Sequence, residues 1–120
     1  MPNKSYADLV IEAKQRIKQV SPQEAIAMRE RGDPAVFIDC REVNEWNLGH
    51  LPDAVFIPRG ILEQNVERVA RRDQKVILYC ASGNRSALAA VTLEEMGYTD
   101  VASLARGFRG WAEEGGDIEG

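Results

Sequence analysis

Cys80 closes the run Val76-Ile77-Leu78-Tyr79 and is followed by Ala81, Ser82, Gly83, Asn84, Arg85 and Ser86, after which Ala87-Leu88-Ala89-Ala90-Val91 resumes a helical pattern. The bulky, β-prone residues before the cysteine read as a strand buried in a parallel sheet. The helix after it stops at Gly97, just past Met96. Between the two, a small polar loop turns backbone N–H groups inward while the helix contributes the positive end of its dipole. A sulfur facing those donors and Arg85 is stabilised as a thiolate, so its pKa falls and its nucleophilicity at neutral pH rises. The same cradle suits an oxyanion substrate. Strand, cysteine, loop and helix alone fit equally well a small buried hydrophobe at a strand end; the chemistry of the loop residues favours function.

Four further stretches bear on that choice. Upstream lie Phe37-Ile38-Asp39-Cys40-Arg41-Glu42 with Glu45, then Gly49-His50-Leu51-Pro52-Asp53-Ala54 and Pro58-Arg59-Gly60; downstream are Gly107-Phe108 and Trp111. With the Cys80 loop, and in this order, they resemble the rhodanese-like domain family of sulfurtransferases from about Val20 onward. The resemblance implies a three-layer α/β domain with a central parallel β-sheet flanked by helices on both faces. It implies ping-pong chemistry: the Cys80 thiolate takes the outer sulfur of thiosulfate or a related donor, becomes a persulfide, and passes the sulfur to cyanide, a thiol or a protein acceptor. Phosphatase and arsenate-reductase relatives close a larger loop; four residues between Cys80 and Arg85 resemble the sulfurtransferase class. A partner-specific sulfur carrier or a sulfur-sensing module without turnover is the alternative, with a phosphatase-type relative behind it. No cofactor is implied, and two cysteines with one histidine do not make a zinc site.

By the same resemblance Cys80 is the catalytic residue and Ala81 to Ser86 bind substrate. Asp39, Arg41, Glu45 and His50 brace neighbouring loops, with Glu45 the expected partner of Arg41. His50, the sole histidine, invites a Cys–His dyad, but sulfur transfer needs no such base. Arg59 and Arg106 are candidates for the pocket mouth, Arg59 being equally readable as a solvated surface residue. Arg106 stands where the family commonly has glycine and either adds positive potential or obstructs entry, while Trp111 reads as core packing. Asp53 also replaces a turn glycine. Cys40 takes an apolar position and reads as buried filler rather than a resolving thiol. Ala81 stands where many thiosulfate-preferring relatives carry a basic residue, which weakens the case for thiosulfate as the physiological donor and leaves persulfides or protein-bound sulfur open.

The elements that must position these groups follow from pattern and composition. With 120 residues, 44% of them hydrophobic, the chain supports one core, and we expect a single domain over 1–120 with 1–19 as an amphipathic helical extension. Net charge −4 and pI 5.0 argue against nucleic acid or an anionic membrane as partner. Two cysteines make no disulfide framework, and neither a secretory leader nor a membrane-spanning run is evident; a cytoplasmic protein is expected. Tyr6, Leu9, Val10, Ala13 and Ile17 predict an amphipathic first helix. Ser21-Pro22-Gln23-Glu24 predicts a helix start with a capping box, running to about Arg31 before Gly32-Asp33-Pro34. Strands are expected to end near Val20 and over 35–39, 55–57, 76–79 and 101–104. Helices are expected over 43–48, through Ile61, Leu62, Val66 and Val69, from Ser86, and around Trp111. Residues 113–120 lose periodicity and are expected to fray. Ligands in such sheets sit beyond the carboxyl ends of the strands, where Cys80 falls.

Overall fold

The computed structural model describes residues 3–120. The elements run α1 (Tyr6–Arg16), β1 (Lys18–Val20), α2 (Pro22–Arg31), β2 (Val36–Asp39), α3 (Val43–Asn47) and β3 (Val55–Phe56). They continue with α4 (Leu62–Asn65), β4 (Lys75–Tyr79), α5 (Asn84–Glu95), β5 (Asp100–Leu104) and α6 (Gly107–Glu113). The five strands are all parallel in the order β1-β5-β4-β2-β3. β4 therefore lies between two strands, which is why Val76–Tyr79, four of its five residues, are buried on both faces and uniformly bulky.

Alternation along the strands divides the core in two. Ile38, Cys40, Val76, Leu78 and Cys80 face a layer built from Ala13 and Ile17 at the α1 end, Leu62 and Val66 around α4, and Ala87, Ala90 and Leu93 of α5. Phe37, Ile77 and Tyr79 face the opposite layer, where Ala25 and Met28 of α2 meet Trp111 of α6. This is the expected helix, sheet, helix arrangement. The end of the first helix thus joins the same core as the active-strand residues, because Ala13 and Ile17 lie one turn apart on its inner face.

Local signals account for most boundaries. Ser5 caps α1, accepting from the Asp8 amide at 3.0 Å while the Asp8 carboxylate accepts from the Ser5 amide at 3.0 Å. In α2 the Ser21 hydroxyl accepts from the Glu24 amide at 3.1 Å, but the second half of the expected capping box is absent, since the Glu24 carboxylate turns to Arg31 at 3.3 Å. The expected helix from Ile61 to Val69 is broken into a 3₁₀ turn (Arg59–Ile61), α4 and a second 3₁₀ turn (Val66–Arg68). Leu62 and Val66 need only one turn to reach the core together, and the Asn65 side chain donates to the Ile61 carbonyl at 2.8 Å.

The C-terminal segment, expected to fray, is strapped down. The Trp111 indole donates to the Asp117 carbonyl at 2.8 Å, and Gly116 lies against the indole too closely for any Cβ. His50 and Glu119 exchange two backbone hydrogen bonds of 2.9 Å in an antiparallel bridge. A segment without hydrophobic periodicity is ordered here by backbone donors and acceptors, which sequence patterning does not register.

Candidate active site

Cys80 follows the last residue of β4, at the carboxyl end of the sheet, and is 1% exposed. Its Sγ accepts from the Gly83 amide at 3.1 Å and the Ser86 amide at 3.4 Å, and lies 3.5 Å from the Ser86 hydroxyl. Ser86 is the third residue of α5, so its N–H is one of the first-turn donors with no partner inside the helix. Gly83 adopts a left-handed φ of 100°, and a Cβ there would press within 3.3 Å of the Arg106 amide nitrogen. The loop carbonyls are occupied from outside: the Phe108 amide donates to Cys80 O at 2.8 Å and the Arg109 amide to Ala81 O at 3.1 Å. That contact requires Gly107, at φ 52°, because a Cβ would fall on the Cys80 and Ala81 carbonyls. With carbonyls tied to the start of α6, the loop amides converge on sulfur.

Burial is the largest single influence on Cys80 and raises its pKa. The Ser86 side chain and amide, with the Ser82 and Gly83 backbone, together outweigh it, and the thiol lies below its ordinary value of 9.0. The Ser86 hydroxyl is in turn 2.8 Å from that of Ser103, and both serines are fully buried. Cys40 behaves in the opposite way: burial first, then the neighbouring Cys80 and Asp39, push its thiol up to about 12. Its Sγ donates to the Tyr79 carbonyl at 3.3 Å.

Arg85 is held in a bidentate pair with Glu45, at 3.0 and 3.1 Å, clamping α3 onto the start of α5. The Arg85 hydrogen bond is the main reason Glu45 lies below its ordinary value of 4.5. Glu45 is thus not the partner of Arg41, as the sequence led us to expect. Arg41 is buried under the Phe108 ring, 4.4 Å from its centroid, and pairs with Asp39 at 2.7 Å while donating to the Gly49 carbonyl at 2.7 Å. Asp39 also accepts from the Arg41 amide at 2.9 Å, so strand end and turn are locked by residues only two apart. A fully buried carboxylate needs its charge matched locally, whereas Glu45 sits on the side of α3 that faces the Cys80 loop.

The other expected site residues lie elsewhere. The Arg59 guanidinium is engaged by Glu63 at 2.9 Å and by the Thr92 hydroxyl of α5 at 3.2 Å, and is not among the groups that touch the Cys80 sulfur. Arg106 has a left-handed φ of 60° and directs its guanidinium toward Glu113 and Glu114, at 4.0 and 3.6 Å. His50 stacks on Trp46 with ring centroids 3.5 Å apart, and its Nδ1 lies 3.0 Å from the Leu51 carbonyl. Among the described residues no group of three or more His, Cys, Asp or Glu side chains could hold a metal ion. The sequence reading missed Ser103 and the Arg85–Glu45 clamp. Ser103 had a legible sign, a lone hydroxyl in the apolar strand Val101-Ala102-Ser103-Leu104.

The family model for the rhodanese-like domain matches residues 21–114. The chain is 33% identical over 94 residues to thiosulfate sulfurtransferase GlpE of Pseudomonas savastanoi, covering 78% of this chain and 86% of that one. It is 34% identical over 74 residues to a Bacillus subtilis protein named "Putative sulfur carrier protein YrkF", covering 62% of this chain and 40% of the relative. A solved structure from Rhodopseudomonas palustris, described as a protein of unknown function and "Possible Tyrosine Phosphatase", superposes with a TM-score of 0.89 at 34% identity over 99% of both chains. The chain belongs to the rhodanese-like domain family.

Proposed function

We propose that the protein transfers sulfane sulfur through a Cys80 persulfide. The observation that carries this reading is the convergence of the Gly83 amide, the Ser86 amide and the Ser86 hydroxyl on one buried sulfur. In the first step the Cys80 thiolate attacks the outer sulfur of a donor such as thiosulfate. A Cys80–sulfur bond forms, the donor's S–S bond breaks, and sulfite leaves with the electron pair. The cradle that favoured the thiolate then favours the persulfide anion. In the second step a cyanide or thiolate acceptor attacks the terminal sulfur, and Cys80 leaves as the thiolate. No general base is needed, because the cradle favours the thiolate form of the nucleophile. The loop contributes fixed donors and positioning, and the Arg85–Glu45 clamp keeps the start of α5 in register with the sulfur.

The near-complete burial of Cys80 suits a slim donor or a protruding acceptor thiol. Ala81 supplies no charge for thiosulfate, which favours persulfide or protein-bound donors and a protein acceptor. We assign the protein to a reducing, cytoplasmic setting, in keeping with two free cysteines, and treat residues 3–120 as one folding unit. No helix of the described residues is long and apolar enough to cross a membrane. The name of the YrkF relative favours a sulfur carrier as second reading: loading would be retained and turnover with small acceptors slow. A phosphatase reading is opposed by Arg85, whose guanidinium is committed to Glu45 rather than open to a phosphoryl group.

Peptide mass spectrometry of the reduced protein after thiosulfate or a glutathione persulfide, then after cyanide, tests the proposal. One added sulfur on the Cys80 peptide, removed by cyanide and absent in Cys80→Ser, is the expected result. Loading of Cys40, or no loading with either donor, refutes it; hydrolysis of an aryl phosphate that depends on Cys80 would install the phosphatase reading instead.

A further inference from the structure

The parallel register of β2 and β4 pairs Val36 with Val76, Phe37 with Ile77, Ile38 with Leu78 and Asp39 with Tyr79. The next pair in that register is Cys40 and Cys80. The ladder reaches this far, because the Cys40 amide donates to the Tyr79 carbonyl at 3.0 Å. Both side chains project from the same face of the sheet into one core cluster, Cys40 at 0% and Cys80 at 1% exposure. Neighbouring strands lie about 4.8 Å apart, inside the Cα separation of roughly 4.4–6.8 Å that a disulfide spans. Both thiols are free.

We propose that Cys40 is a resolving thiol that captures oxidised Cys80 as a Cys40–Cys80 disulfide, making the pair a redox modification site responsive to peroxide. The proposal uses the Cys80 thiolate on which sulfur transfer also rests, but none of the steps of sulfur transfer. In the first step the Cys80 thiolate attacks hydrogen peroxide and the O–O bond breaks. The sulfur loses two electrons to become a sulfenic acid, and the second oxygen leaves as hydroxide, which takes a proton from solvent to become water. In the second step the Cys40 sulfur attacks the Cys80 sulfur; the S–S bond forms, the S–O bond breaks, and the departing hydroxyl leaves as water with the Cys40 proton.

The two environments order these events. Cys80 is the thiol that reacts first, since its donors favour the anion. Cys40, with its thiol pushed up to about 12 and its S–H directed at the Tyr79 carbonyl, is inert toward solutes. It reacts only with an electrophile already delivered beside it, where proximity replaces acidity as the source of rate. Until Cys80 is oxidised the pair stays reduced, so the nucleophile is not consumed at rest.

The test treats the reduced full chain with hydrogen peroxide, alkylates the remaining thiols and maps the peptides without reduction. The expected product is a linked Cys40–Cys80 peptide, with both free thiols lost together and both recovered by dithiothreitol. In Cys40→Ser, and equally in Cys40→Ala should the hydroxyl disturb packing, Cys80 is expected to pass to sulfinic acid, which dithiothreitol does not recover. Wild-type Cys80 reaching sulfinic acid while Cys40 remains alkylatable overturns the proposal and leaves sulfur transfer standing. Failure of Cys80 to oxidise at all also overturns the proposal, while sulfur transfer is judged separately by persulfide loading of the same peptide.

Discussion

Replacing Ser86 with alanine isolates one donor of the Cys80 cradle. The Ser86 hydroxyl lies 3.5 Å from Sγ, while the Ser86 and Gly83 amides, at 3.4 and 3.1 Å, are backbone groups that the substitution leaves in place. A hydrogen bond to a charged group contributes about 1.5–3 kcal/mol, and a contact this long falls at the lower edge. One pKa unit corresponds to about 1.4 kcal/mol, so Ser86→Ala should raise the Cys80 titration midpoint by about one unit, toward the ordinary 9.0. The assay is ultraviolet thiolate absorbance, or the rate of iodoacetamide alkylation of Cys80, followed against pH. The same change strands the buried Ser103 hydroxyl, 2.8 Å from that of Ser86, and should cost about 1–3 kcal/mol of stability. Ser86→Ala/Ser103→Ala should recover part of that stability without restoring the midpoint. An unmoved midpoint in the single variant would refute the assignment of Ser86 as a thiolate donor and leave the cradle to amides alone.

Arg106→Gly should stabilise the fold by about 1 kcal/mol, because a left-handed φ of 60° costs a non-glycine residue roughly 1–2 kcal/mol and glycine returns part of that gain as entropy. The exposed Glu113 and Glu114 contacts contribute little in compensation. A calorimetric Tm raised by about 4 °C is expected, with an unchanged Michaelis constant for thiosulfate if the side chain plays no part in binding. Glu45→Gln should flatten the acid limb of stability. Glu45 has a lowered pKa, so its contribution is complete above the ordinary value of 4.5 and is lost as pH falls through the lower folded value; urea midpoints from neutral to acid pH would show it. Deleting residues 1–16 removes the buried Val10 and Ala13 and bares α5, which should cost roughly 3–5 kcal/mol, a large share of a domain's total. A deletion variant with wild-type thermal stability would show that the helix is an appendage.

The covalent order of the chain determined where the nucleophile must fall. Bulky, β-prone residues through Tyr79, a small polar loop and a helical resumption leave Cys80 at the carboxyl end of a strand, and hydrophobic periodicity gave the strand and helix sequence close to its observed bounds. Local chemistry was equally legible where it acts over three or four residues, as at Ser21, Pro22 and Gly32. What the sequence left undecided was every contact made across the fold. Glu45 takes Arg85, not Arg41, because the buried Asp39 claims Arg41 at the strand end. Arg59 and Arg106 turn to glutamates on their own segments. The tail is ordered by bonds to Trp111 and His50, and Cys40 meets Cys80 only through the register of β2 on β4. Patterning reports which face of an element is apolar; which charge pairs with which, and which thiol stands beside another, is decided only when the sheet brings residues tens of positions apart within a few ångströms, where burial makes each polar group take the nearest partner that satisfies it.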